Sequence, residues 1–439
     1  MAQIVLCDLC TNLIGFLKNI IFSDNFLSSH KVLSNNFIRN RILPFHTIIF
    51  FLMNLIKGSY QDELDYFFKA IDNTESFIRK VTKSALCKAR KKLKYEAFTE
   101  LNAEAVNYFQ EHFSPNLWHG FYLKAIDGST LKVPKTLEVE KHFGVWDKEG
   151  DAPCPLARIS QMFDVLNKIT VDAIISPKAI GERDLCERHF INLKTNDLCL
   201  LDRGYPAYWL FNLILTKGAN FCARVSCTKW LPIRKFFHSG RSEKIIRLKA
   251  PASSKKKCRD LGLNTQDLKL RLIRIELENG ETEILITSLI DIETYPMDIF
   301  SDLYHYRWPI EEDYKAMKCR IEIENFTGKS VLSVYQDFHA RVFTKNLTTM
   351  LAHPTRQTIE QNSEHKAHSY QINFTQALSK MKDTVVLLFT RSMDTVNKLV
   401  TSLHDVFIKT VEPIRLNRKF PRKHKVQRKG FYPCYKPIR

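Results

Sequence analysis

Apolar residues recur at three- and four-residue steps through Leu64, Phe67, Phe68 and Ile71, the spacing of one face of an amphipathic helix. Ser84 to Glu104 continues that pattern, so residues 1 to about 116 read as helical. The texture changes at Tyr122. There Tyr122-Leu123-Lys124-Ala125-Ile126 leads into Asp127-Gly128-Ser129, which predicts a short strand closing on a turn. Ile159 to Val165 and Lys168 to Ile175 flank Leu166-Asn167 and predict a hairpin. Glu182 to Lys194 predicts a helix. The compact apolar run Asp197 to Leu201 predicts a buried strand and ends in Asp202-Arg203-Gly204-Tyr205. Pro206 opens a helix running to Lys217, and Ala219 to Ser226 returns to strand. Strands alternating with helices in this order predict a mixed α/β layer structure. Asp127 and Asp202 each stand where an apolar strand ends, a common place for catalytic groups in open α/β sheets.

Residues 227 to 282 break the rhythm. Basic, β-prone pieces such as Ile245 to Leu248 and Leu268 to Leu277 alternate with Gly and Ser turns, and Ser253 to Lys257 reads as a loop. We therefore expect a β-rich insertion there. Glu283 to Ile290 is a buried strand and Pro296 to Tyr304 a helix. Further helical segments lie near Val331 to Leu351 and Ser379 to Phe407. The expected division is a helical 1–116, a mixed α/β 117–330 interrupted by 227–282, a helical 331–414 and a tail, 415–439.

Charge narrows the partner. The 439 residues carry a formal net charge of +19, which opposes compaction and marks a polyanionic partner. A membrane is the poorer candidate. The most apolar stretch, Ile42 to Ile56, contains Pro44, His46 and Asn54 and falls short of the roughly 20 residues a span needs. It reads as a buried helix. Met1 to Phe16 lacks the basic start and small-residue cleavage site of a signal peptide. The 11 scattered cysteines fit reduced thiols in a cytosolic protein, and Cys7 and Cys10 read as apolar thiols on a helix. Eight basic residues and no acid lie from Arg79 to Lys94, either a solvated helix face or a phosphate-contacting one. The tail from Arg415 holds ten basic residues interleaved with Phe420, Phe431, Tyr432 and Tyr435, a mixture suited to nucleic acid.

The most informative segment runs from Tyr304 to Lys318. Tyr304, Arg307, Glu311 and Lys318 fall at i, i+3, i+7 and i+14, which share one face of a continuous helix. Pro309 either kinks that helix or starts a new one. Transfer of a phosphodiester needs an oxygen nucleophile, a stabilised phosphate charge and an alkoxide leaving group. Two divalent ions about 4 Å apart serve all three needs. Mg²⁺ takes oxygen ligands from a few carboxylates, and nearby cations hold phosphates. Taken singly, Asp127 also fits a turn former and Asp202 a helix cap. Glu312 and Asp313 lie off the face and read as solvated or structural, Asp164 as a turn residue, and Glu182 and Arg183 as a helix start in an ion pair or cap.

These pieces resemble the DDE transposases of the insertion sequence 4 type. The resemblance rests on Ile126-Asp127-Gly128-Ser129-Thr130, Leu200-Leu201-Asp202-Arg203-Gly204-Tyr205, Thr287-Ser288-Leu289 and above all Tyr304-x2-Arg307-x3-Glu311-x6-Lys318, the family's Y-R-E-K pattern with every spacing intact. It implies a ribonuclease H-like core on which Asp127, Asp202 and Glu311 hold two Mg²⁺ ions, with Mn²⁺ as a substitute. It implies that Tyr304, Arg307 and Lys318 contact DNA phosphates and that Trp308 stacks on a base flipped from the duplex. The partners implied are transposon ends and target DNA, with a homodimer joining two ends, in a prokaryotic cytoplasm on the nucleoid. A nuclease that cuts without joining, or a repressor that has lost catalysis, is the alternative reading.

Overall fold

A computed structural model describes residues 2–39, 41–77, 79–146, 153–228, 230–277 and 280–415. Of the basic tail, residues 416–439 lie outside the described residues. The chain divides into two compact units, one of Pro115–Thr130 with Arg158–Lys315, the other of Met1–Ser114, Leu131–Ala157 and Ala316–Arg439. The strands in chain order are β1 (Tyr122–Lys132), β2 (Val145–Trp146), β3 (Cys154–Asp164), β4 (Ile169–Ser176), β5 (Asp197–Leu201), β6 (Asn220–Val225), β7 (Glu243–Leu248), β8 (Leu268–Glu276), β9 (Thr282–Thr287), β10 (Tyr370–Ile372) and β11 (Val411–Pro413).

The first unit is built on a mixed sheet in which the strands run β3-β1-β5-β6-β9-β8-β7, with β4 paired to β3. β1, β5 and β6 run parallel, while β3 with β4 forms the expected hairpin. All five residues of β5 are buried, which is why its sequence is a continuous apolar run rather than an alternation. The helix Tyr208–Thr216 buries Tyr208, Trp209, Leu210, Phe211 and Ile214, and Phe211 stacks on Phe221 of β6 at 4.2 Å.

Several boundaries differ from expectation. Ser253 to Lys257 is no loop but part of the helix Ala252–Asp260, which buries Ser254 and Cys258, exposes Lys255 and Lys256 and pairs Lys257 with Glu187 at 2.7 Å. A second helix, Leu231–His238, precedes it, so residues 227–282 are less purely β than their composition indicates. Their strands β7 and β8 extend the sheet through β9. The helix from Glu182 stops at His189 and tightens into a 3₁₀ turn, Phe190–Asn192.

In the second unit the long helix Val331–Ala352 is buried along most of its length, with Gln336, Asp337, Arg341 and Asn346 inside. Arg90 is buried and donates to Asp337 at 2.9 Å and to Gln336 at 2.9 Å. That removes Arg90 from the basic face expected between Arg79 and Lys94. Arg79 pairs with Asp65 and Lys80 with Asp72, while Lys83, Lys88 and Lys91 are exposed. The stretch from Ser84 to Glu104 is two helices, Lys83–Arg90 and Glu96–His112, the first capped by Thr82. Ser379 to Phe407 likewise belongs to two, Phe374–Thr390 and Met393–Lys409. The helix Phe45–Met53 is apolar all round and buried, as a helix of that pattern must be. Among the described residues no helix is long and apolar enough to cross a membrane. The described cysteines are all free, Cys7 and Cys10 being buried on the first helix.

Candidate active site

Two aspartates come together because two parallel strands part. The last paired residues of β1 and β5 are Ile126 and Leu201, so Asp127 and Asp202 are the next residues on neighbouring strands. Parallel neighbours lie about 4.8 Å apart, which sets the two side by side. Each carboxylate is then fixed by a glycine that follows it. Gly128 N–H donates to Asp127 at 2.8 Å, and Gly204 N–H to Asp202 at 2.7 Å. A side chain at Gly204 would meet the Asp202 carboxylate at 3.1 Å, and one at Gly128 would meet Glu182 at 3.3 Å. β1 does not close on a turn at Asp127, as expected, but runs on to Lys132. Its pairing with β5 ends there, while its other edge stays beside β3.

The continuous helix expected through Tyr304 and Lys318 is interrupted. One helix spans Ile299–His305, a turn holds Arg307, and Pro309 begins a second helix, Pro309–Cys319. Proline has no N–H to continue the first helix but suits the first position of a new one. Arg307 still reaches Glu311, at 3.0 Å. Its guanidinium lies 5.9 Å from the Tyr304 ring and 5.1 Å from the Trp308 ring. Tyr304 and Arg307 are buried, whereas Trp308 is 43% exposed. Lys318 sits in the last turn of the second helix, within the other compact unit.

The electrostatics join the three acids. The Asp127 carboxyl is pushed up to about 6, first by burial and then by the charges of Asp202 and Glu311, while the Gly128 amide and Arg307 pull it back. Burial pushes the Tyr304 phenol up and keeps it neutral. Burial opposes the charge of Arg307, yet Tyr304, Glu311 and Asp127 hold its ionisation above the ordinary arginine value. Among the described residues no three acid, histidine or cysteine side chains are drawn close enough to grip an ion. The acids thus share a field without forming a closed shell. Their chemistry fits a hard divalent cation: all are carboxylates, and their mutual repulsion is what such a cation reverses.

Neighbouring residues have other work. Asp164 is the turn residue expected, accepting from Asn167 N–H at 3.1 Å. Glu312 is exposed beside Lys315. Arg183 forms neither the expected ion pair nor a cap but donates twice to the Gly204 carbonyl, at 3.0 and 2.7 Å, bracing the turn after Asp202. Sequence reading also passed over Tyr314, whose hydroxyl donates to the Asp127 carbonyl at 2.7 Å. Its spacing of three from Glu311 on one helix was the available signal.

The model of the transposase DDE domain matches residues 118–347. The chain is 24% identical over 347 residues to the transposase InsG for insertion sequence element IS4 of Escherichia coli strain K12, covering 78% of this chain and 76% of that protein. Among solved structures it is similar to a cryo-EM structure of the piggyBac transposase synaptic complex with hairpin DNA, with a TM-score of 0.46 and 8% identity over 90% of this chain and 81% of that one.

Proposed function

Since the chain belongs to the transposase DDE-domain family, whose model matches more than half of it, we propose that it cleaves DNA at transposon ends and transfers the freed strand into target DNA. The family implies divalent metal ions. In this reading Asp127, Asp202 and Glu311 hold two Mg²⁺ ions, with Mn²⁺ able to replace them. Divalent ions held by these three carboxylates would supply activation of the attacking oxygen and charge stabilisation at the phosphate. The chain's own groups do the rest. Gly128 and Gly204 amides orient the two aspartates, and Arg307 orients Glu311. Tyr304, Arg307 and Lys318 contact phosphates near the cleaved end, and the exposed Trp308 ring stacks on a flipped base. No covalent enzyme intermediate is needed, in keeping with a neutral, buried Tyr304.

The observation that carries this reading is the adjacency of Asp127 and Asp202 at the parting of β1 and β5, within the field of Glu311. The strand order β3-β1-β5-β6, with β1, β5 and β6 parallel and β4 paired to β3 in a hairpin, supports a ribonuclease H-like core. Residues 1–116 and the tail 415–439 serve as DNA-binding regions around the catalytic 117–330, and joining two ends calls for a homodimer. The working compartment is the prokaryotic cytoplasm, on nucleoid DNA.

Incubation with its flanking genomic repeats and Mg²⁺, followed by mapping of nicks and insertions, tests the proposal. Nicks at the repeat boundaries with insertion products are expected. Cut ends that never insert would favour a nuclease, and no nicking with metal and ends present would favour a repressor.

A further inference from the structure

Two hydroxyls stand beside the main-chain carbonyl of Asp127. Tyr314 donates its hydroxyl to it at 2.7 Å, and Ser160 Oγ approaches it at 3.4 Å. The Tyr314 oxygen also accepts from the Gln161 backbone N–H, so the phenol ties β1 to β3 at this point. Behind Ser160 runs a second line of contacts. His189 Nε2 lies 2.9 Å from Ser160 Oγ, so the one Ser160 proton goes either to this ring or to the Asp127 carbonyl, and His189 Nδ1 is hydrogen-bonded to the Asp172 carboxylate at 2.7 Å. Ser160 and His189 are fully buried, so this serine–histidine–aspartate chain meets no substrate and does not act as a hydrolase. What it reaches is the backbone of Asp127.

Tyr314 also lies one turn beyond Glu311 on the helix Pro309–Cys319. Its ring therefore links the strand that carries one acid to the helix that carries another. On the reading that Asp127 and Glu311 are metal ligands, we propose that Tyr314, backed by the Asp172–His189–Ser160 chain, is a positioning residue that sets the separation and aim of these two carboxylates. Mg²⁺ demands near-octahedral geometry, so a small rotation of the Asp127 peptide is felt at its carboxylate. Outer partners of metal ligands typically matter by about 10- to 100-fold in affinity or rate.

The test uses the full chain carrying Tyr314→Phe or Ser160→Ala, beside Asp127→Ala. Two quantities are read: Mn²⁺ affinity of the complex with an end duplex, and the Mg²⁺ midpoint for single-turnover nicking of that duplex. Tyr314→Phe is expected to melt and bind the duplex as the parent does, yet weaken Mn²⁺ binding and raise the Mg²⁺ midpoint about tenfold. Ser160→Ala moves both about threefold in the same direction, as loss of one modest hydrogen bond should. Adding His189→Gln to Ser160→Ala changes nothing further, because His189 acts through that hydroxyl. If Tyr314→Phe melts early, Ser160→Ala decides by the same two readouts. Parental Mn²⁺ affinity and Mg²⁺ midpoint in these variants, with Asp127→Ala inactive, would overturn the proposal and leave the metal reading standing. An Asp127→Ala protein that nicks at the parental rate would instead sink the metal reading and this proposal with it.

Discussion

β1 and β5 carry ionisable residues at both ends of one parallel ladder, and the two ends handle charge in opposite ways. At the start, Lys124 Nζ meets Asp197 at 2.7 Å with both side chains fully buried. The Lys194 N–H adds a second donor to Asp197 at 2.7 Å. Burial pushes the Asp197 carboxyl up, and the Lys124 ammonium pulls it back. At the other end Asp127 is also raised by burial, but its neighbours Asp202 and Glu311 raise it further. The cation the chain supplies there, Arg307, is committed to Glu311 at 3.0 Å. Acids on the same two strands are thus told apart by what answers them. The structural acid brings its own cation, whereas the acids at the far end share a repulsion that an external cation would relieve.

The comparison can be broken from either end. Asp127→Ala and Asp202→Ala should each lower strand nicking roughly a thousandfold, since a bound ion supplies several kcal/mol of stabilisation. Their thermal midpoints should stay level or rise, because each removes a like charge. A fall in midpoint matching the loss of activity would make these acids structural. Lys124→Met should do the reverse, costing about 3–5 kcal/mol in denaturant unfolding by leaving Asp197 buried and unpaired. Adding Asp197→Leu should restore much of that loss. Nicking per folded molecule should be unchanged in both, and a selective drop would blur the contrast between the two ends.

Smaller changes sharpen the picture. Arg307→Lys keeps the charge but loses the planar contacts with Glu311 and the Tyr304 and Trp308 rings, so a drop of about tenfold in nicking is expected. A parental rate would mean that charge alone suffices at that position. Lys318→Ala should cut the rate less than Glu311→Ala and weaken binding to the end duplex by a few-fold, about 1 kcal/mol for an exposed phosphate contact. Unchanged binding and rate would remove Lys318 from the site.

Local signals carried much of this. Asp197 to Leu201 was legible as a strand because burial on both faces makes an unbroken apolar run. That Arg307 and Glu311 share a face was legible from their spacing, and they pair even though a turn interrupts the expected helix between them. Contacts between distant parts of the chain were not. Arg90 reads as one more member of a basic face, and only its bond to Asp337, 247 residues on, makes it an interior residue. Tyr314 and the carbonyl it holds are 187 residues apart. The lysines of Ser253 to Lys257 look like loop residues until Cys258 is buried and turns the segment into a helix with one inner face.

Asp127, Asp202 and Glu311 are expected to converge on shared divalent ions once DNA is in place. Paramagnetic resonance titration of Mn²⁺ into the protein bound to an end duplex measures this directly. Tight ions are expected in the parent complex and are lost, wholly or in part, in each of the Asp127→Ala, Asp202→Ala and Glu311→Ala complexes. Mn²⁺ binding that is indifferent to all three substitutions would contradict it.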